Sequence, residues 1–127
     1  MVTEITMGDM LEPLPYQDNI IRIVMFYGET CGPCNATKPN YELISDMFEN
    51  LPVDIRFFKI NAWHPVEQKD FISTTYGISG VPHFKVFFRG EAVHEKIGGG
   101  DAPTMRKFVY DAIEEVFKRY GDKQNES

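Results

Sequence analysis

Cys31-Gly32-Pro33-Cys34 is the feature that most restricts how this chain can fold. It follows an almost unbroken apolar run, Ile20 to Tyr27, and a short polar turn, Gly28-Glu29-Thr30, and it leads into a segment able to continue as helix. Two thiols separated by two residues can close a small disulfide when the first turn of a helix brings them together. The unpaired N–H groups of that turn also stabilise a thiolate. The chain has no third cysteine, so the pair has no competing partner within the monomer. A reversible dithiol/disulfide couple is therefore the first reading. A purely structural bridge is the weaker one, because closing so short a loop removes little chain entropy. Metal is weaker still. Zinc wants four ligands in close pairs, and His64, His83 and His94 are scattered.

With 127 residues, 43% of them hydrophobic, the chain can bury one good core. The expected organisation is a single domain over residues 1–121 with a frayed polar tail over 122–127. No apolar run approaches the roughly 20 residues of a membrane span, and the first residues lack signal-peptide character. A reducing, cytoplasmic setting is the default, where a CxxC does redox work more often than structural work. The net charge of −6, from 13 Lys+Arg against 19 Asp+Glu, argues against nucleic-acid or anionic-membrane partners.

Taken in order, Val2 to Ile5 can form a short first strand, and Pro13 and Pro15 exclude a long helix after it. Ile20 to Tyr27 reads as a strand buried on both faces, with Arg22 marking an end that reaches solvent. Asn35 to Asn50 reads as a helix with Ala36, Leu43, Ile44, Met47 and Phe48 inward and a kink at Pro39. Val53 to Ile60 is the next strand. Pro65 opens a helix to Tyr76, with Val66, Phe71, Ile72, Thr75 and Tyr76 inward and Gly77 as its cap. Phe84 to Phe88 and Ala92 to Ile97 form a hairpin around Arg89-Gly90-Glu91. Asp101 caps a final helix whose stripe runs from Met105 to Tyr120. This order predicts an α/β fold: a central mixed β-sheet of four to five strands flanked by helices on both faces.

The chain resembles the thioredoxin family. The residues that carry the resemblance are Cys31-Gly32-Pro33-Cys34 after the buried strand, Pro39, Lys59-Ile60-Asn61, Tyr76-Gly77-Ile78-Ser79-Gly80-Val81-Pro82, Phe88-Arg89-Gly90-Glu91 and Ile97-Gly98. The similarity spans roughly Ile20 to Tyr120. It implies a thioredoxin-like fold, a cis Pro82 packed near the cysteines, and a Val81 main chain that pairs with an extended client. Tyr27, Thr30 and Gly98 would complete the client groove. The chain departs from the family where Thr30 replaces a tryptophan, Asn35 a lysine, and Met25 the buried aspartate below the second cysteine. Its Trp63-His64-Pro65 segment is also longer than usual.

The expected chemistry is thiol–disulfide exchange that reduces protein disulfides, with Cys31 attacking and Cys34 resolving. Gly32 and Pro33 keep the loop compact and Cys31 open. No organic cofactor is implied. The resemblance implies disulfide-containing clients and a separate thioredoxin-reductase-like electron donor, acting on a monomer. An oxidant or isomerase would use the same cysteines at a different potential. A binding module would keep the fold and use the Val81-Pro82 groove alone. Lys59 could approach Cys34, or be a solvated strand-end lysine. His83 could favour the thiolate as an imidazolium, or present a polar edge. Trp63 reads as packing, with an exposed docking aromatic as its rival.

Overall fold

The structure is a computed structural model of the chain and describes residues 1–10 and 18–121. The prolines at 13 and 15 and the expected tail over 122–127 lie outside the described residues. Among the described residues the elements run in the order β1 (Val2–Glu4), α1 (Met7–Met10), β2 (Ile21–Tyr27), α2 (Gly32–Phe48), β3 (Ile55–Asn61), α3 (Val66–Tyr76), β4 (His83–Phe88), β5 (Glu91–Ile97) and α4 (Ala102–Tyr120). The strands form one mixed sheet in the order β1-β3-β2-β4-β5. β1 and β2 run parallel to β3, while β4 is antiparallel to both β2 and β5. This is the predicted flanked mixed sheet, with five strands.

All seven residues of β2 are buried, as an apolar run covered on both faces requires. Ile21, Ile23, Met25 and Tyr27 pack with Cys34, Tyr41, Ile44 and Phe48 of α2 and with the Met105-to-Val116 stripe of α4. Val24 and Phe26 face the other way, toward Ile60, Ile72, Ile78 and Phe87. The period-2 alternation of one strand thus divides two core layers. Each fully buried aliphatic side chain in them contributes about 1.5–3 kcal/mol.

Helix α2 begins at Gly32, three residues before the expected start, because Pro33 fits a first turn that needs no N–H there. It continues through Pro39 to Phe48 with that ring on its exposed side. The inner face also differs from the expectation. Ala36 is exposed, and Leu43 and Met47 are 51% and 46% exposed, whereas Tyr41 is buried with Thr37 and Ser45. Hydrogen bonding explains the shift in phase. The Tyr41 hydroxyl reaches the carbonyls of Ile23 (3.1 Å) and Phe58 (2.8 Å), locking the helix to the sheet. Thr37 and Ser45 satisfy their hydroxyls on helix carbonyls, Pro33 O at 2.8 Å and Glu42 O at 2.9 Å, so both enter the core without an unpaired donor.

Helix α3 departs in the same manner. Val66 and Thr75 are exposed, and the buried residues are Gln68 and Ile72, with Phe71 and Tyr76 half-buried. Gly77 ends the helix in the left-handed conformation (φ 68°). In the β4–β5 hairpin Arg89 and Gly90 both take positive φ (54° and 77°), the requirement of a two-residue turn matched to strand twist. Asp101 accepts the N–H of Thr104 at 2.9 Å and caps α4 as expected. Phe117, at the edge of the α4 stripe, is 38% exposed.

Arg22 does not reach solvent as its position near the start of β2 predicts. It is 9% exposed and held bidentately by Asp18, at 2.9 and 2.7 Å, so the paired carboxylate replaces the water its guanidinium loses. The hydrogen bonds from Arg22 hold the Asp18 carboxyl below its ordinary range. A depressed folded value contributes stability above the unfolded value that is lost as pH falls through the folded one. Asp18→Asn should therefore lower stability at neutral pH by about 1.5–3 kcal/mol. The gap between parent and mutant should close as pH is lowered below about 4. Denaturant titrations across pH check both, and a gap independent of pH would refute the assignment.

Candidate active site

The site forms where β2 ends and α2 begins. Gly28-Glu29-Thr30 carries the chain out of the sheet, and Cys31 N donates to Gly28 O at 3.3 Å. Cys31 is the extended N-cap residue of α2, and its sulfur accepts the N–H of Cys34 at 3.1 Å. That N–H is one of the donors a helix start leaves without an internal partner, and it is placed to stabilise negative charge on Cys31 when the bridge is open. The two cysteines are joined as a disulfide with their Cα atoms 5.2 Å apart. Cys31 is half-buried, whereas Cys34 is 0% exposed, one turn deeper in the α2 layer. Gly32 and Pro33 are exposed beside them.

The opposite wall is the Val81-Pro82 segment that enters β4. Its Val81 carbonyl oxygen lies 3.7 Å from Cys31 Sγ, and the Val81–Pro82 bond is cis. The His64–Pro65 bond is also cis, which the sequence reading had not anticipated. Gly98 has φ 92° and donates its N–H to Pro82 O at 2.9 Å, tying the end of the hairpin to this wall. Gly99 and Gly100 then pass close to α2. Gly100 N donates to Thr37 Oγ1 at 3.2 Å and Asn40 Nδ2 to Gly100 O at 3.1 Å. A shallow cleft beside Pro33 runs between Thr37 and Asn40 on one side and Gly99 to Asp101 on the other.

The remaining sequence candidates fall in different places. Thr30 is exposed in the turn, but Tyr27 lies beneath the groove rather than lining it. Its hydroxyl donates to Glu4 Oε1 at 2.6 Å, and Lys38 Nζ stands 3.9 Å over its ring. Burial first, and then Glu4, push the Tyr27 hydroxyl far above its ordinary range, so it stays protonated. Lys59 sits in register between Glu4 and Met25. Register partners in parallel strands share a face, so Lys59 projects from the face that carries Met25 and Cys34. Met25 is 0% exposed, and its strand neighbours Val24 and Phe26 are equally buried and apolar.

His83 lies on the other face of the sheet. It pairs with Phe26 in register and packs edge-on against that ring, so its imidazole lies across the sheet from Cys34. Its Nε2 meets Glu95 Oε2 at 3.2 Å, a carboxylate that Lys85 shares at 3.2 Å. The His83 hydrogen bond, followed by that of Lys85, holds the Glu95 carboxyl below its ordinary range. The alternation that made Phe84, Val86 and Phe88 the α2-side residues sends His83 the other way.

Sequence reasoning named Asn61 only within the Lys59-Ile60-Asn61 motif and passed over Gln68. Asn61 Oδ1 accepts the N–H groups of Trp63 (2.9 Å) and His64 (3.0 Å), and Gln68 Nε2 donates to the carbonyls of Asn61 (2.7 Å) and His64 (3.0 Å). The signal was present: an Asx turn needs an asparagine two residues before the N–H it binds, and Asn61 ends its strand at that spacing. Among the described residues no group of three or more His, Cys, Asp or Glu side chains is arranged to hold a metal ion.

A cysteine pair able to form a disulfide at a helix start, on a mixed sheet with helices on both faces, defines a redox-active couple of oxidoreductase type. The chain belongs to the thioredoxin family, whose family model matches residues 12–111. It is 28% identical over 102 residues to Thioredoxin-1 of Schizosaccharomyces pombe, covering 80% of this chain and 90% of that protein. It is 32% identical over 109 residues to a thioredoxin-like protein of Fusarium culmorum, covering 83% and 85% respectively. A thioredoxin of Mycoplasma genitalium is 33% identical over 99 residues, covering 77% of this chain and 87% of the relative.

The tightest demand in the glycine loop falls at Gly99. A Cβ on Gly99 would stand 2.0 Å from Thr37 Oγ1 and 3.4 Å from Pro33 O. Gly99→Ala should cost about 1–3 kcal/mol by overpacking. Adding Thr37→Ala, which removes the obstructing hydroxyl, should recover part of that loss. Denaturation midpoints of the two single mutants and the double mutant check this, and additive losses would refute it.

Proposed function

We propose that the protein reduces disulfides in client proteins by thiol–disulfide exchange. The observation that carries the proposal is the asymmetry of the pair: a partly accessible Cys31 with a helix-start N–H on its sulfur, and a fully buried Cys34 one turn below. In the reduced protein the Cys31 thiolate attacks one sulfur of the client disulfide. The client S–S bond breaks, a mixed disulfide forms, and the departing client thiolate takes a proton from water. Cys34 then loses its proton and attacks Cys31 Sγ. The Cys31–Cys34 bond forms, the mixed disulfide breaks, and the second client sulfur leaves and is protonated. Two electrons have passed from the dithiol to the client.

The two sulfurs carry the electrons, so the cycle needs no bound organic cofactor. A separate thioredoxin-reductase-like donor returns the two electrons to the bridge. The Val81 main chain, 3.7 Å from Cys31 Sγ, supports a reading in which the client lies extended along that wall. We assign the protein to a reducing, cytoplasmic compartment, where a CxxC does redox work more often than structural work, and to action as a monomer. No described helix is long and apolar enough to cross a membrane. A redox potential measured against glutathione tests the direction. A reductant must lie below its client disulfides, in the range of about −270 mV, and a potential near the roughly −120 mV of the strongly oxidising dithiol proteins would overturn the proposal.

Cys34→Ser should trap clients through Cys31, because the resolving thiol is gone, and Cys31→Ser should not. Mass mapping of adducts checks the order of roles, and equal trapping through Cys34 would refute it. Met25 cannot accept the proton that Cys34 loses. Placing an acid there by Met25→Asp should speed resolution of the mixed disulfide, since general acid–base assistance commonly contributes about 10²–10⁴-fold. Burying the carboxylate will also cost stability, so folding is checked separately. Stopped-flow rates across pH that match the parent in a folded mutant would show that proton transfer at this position does not limit the reaction.

A further inference from the structure

The indole of Trp63 rests in a notch of the active-site turn. A Cβ on Gly28 would stand 2.5 Å from Trp63 Cδ1, 2.8 Å from its Nε1 and 3.6 Å from Val81 Cγ2. Gly28, Trp63 and Val81 therefore converge on one point, and only a glycine at 28 lets the ring occupy it. The segment that presents the ring is held at several places. Ala62 N donates to Tyr27 O at 2.7 Å, and Asn61 and Gln68, 8% and 4% exposed, bind the backbone around it. Trp63 itself remains half-buried, with Lys69 Nζ 5.7 Å from its ring. Thr30, the residue just before Cys31, offers no large apolar surface on the other side.

We propose that Trp63 is the aromatic wall of the client groove and selects clients that carry an apolar side chain beside the reactive cysteine. The inference rests on the oxidoreductase reading above. A client sulfur bonded to Cys31 Sγ lies beside the Val81 carbonyl, 3.7 Å away. A client chain extended along that wall places its next residue against the Val81 side chain and the indole packed near it. A flat, pre-positioned aromatic ring gives a large contact at small entropic cost. The ammonium of Lys69 beside the ring opposes a basic residue at the same place.

The test uses the reduced full-length protein and two disulfide peptides that differ only in Phe or Lys next to the cysteine. Reduction is followed by separating the products over a range of peptide concentrations. The parent should reach half-saturation at about tenfold lower concentration with the Phe peptide, the size of effect that truncating one buried aromatic contact has at an interface. Trp63→Ala should erase the preference, with the loss read in the half-saturating concentration of the Phe peptide. Trp63→Phe should retain most of it. Gly28→Ala, which drives the ring from its notch, should also erase it, and adding Trp63→Ala should change nothing further. If Trp63→Ala does not fold, Trp63→Leu carries the same comparison. An undiminished preference in a folded Trp63 variant that still reduces both peptides overturns this inference alone. Failure of Cys34→Ser to form a mixed disulfide with either peptide overturns the oxidoreductase reading, and this inference with it.

Discussion

The structure depends on burying β2 on both faces. Seven consecutive residues without solvent cannot carry a polar side chain that lacks a partner, and Arg22 is admitted only with the Asp18 carboxylate against it. Because the strand alternates, the same seven residues supply the floor of both core layers and oblige helices to cover each. The chain must then leave the sheet at Tyr27, and the first residues free to do chemistry are those just past the strand end. The N-terminus of α2 arrives there with its unpaired N–H groups, and the Val81 segment arrives from the neighbouring β4. The site is thus a consequence of where a doubly covered strand stops.

Charge around the pair follows from that placement. Cys31 sits at the mouth of the helix, where the backbone favours a negative sulfur, and Cys34 sits in an apolar layer where a charge is opposed. This difference follows from the backbone and from burial, while the His83 imidazole faces the other side of the sheet. Three polar side chains at this end of the sheet have other partners: His83 bonds Glu95, Tyr27 bonds Glu4, and Asn61 bonds the turn at Trp63.

Much of this was legible in the sequence because it rests on local rules. The buried strand, the CxxC at its end, the hairpin around Gly90, the Asp101 cap and the α4 stripe each follow from period, turn chemistry or capping within a few residues. What escaped depends on partners remote in the chain. The inner face of α2 was misread because hydrophobicity ranks Leu43 and Met47 above Tyr41 and Thr37, whereas tertiary hydrogen bonds decide the phase. Arg22 was misread because Asp18 lies outside the strand pattern that placed it. Gln68 was passed over because a buried amide is recognisable only when the carbonyls it serves are known. The cysteines and the Val81, Pro82 and Gly98 wall were named from the sequence, while the Asn61 and Gln68 hydrogen bonds that hold the turn beside them were not.

Gly28 and Trp63 show why composition at a site is coupled across the fold. An alanine at 28 would be neutral in an open turn, but here its Cβ would occupy the place of the indole. The ring in turn is available only because the β3–α3 connection is long enough to bring position 63 over the turn, and because Asn61 and Gln68 absorb its backbone donors and acceptors. A change at any one of these positions alone leaves either an empty notch or a displaced ring. Gly28 and the family departures at Thr30 and Trp63 therefore form one unit. The aromatic surface absent just before Cys31 is supplied from the far side of the turn, where it meets Val81 rather than the cysteine loop.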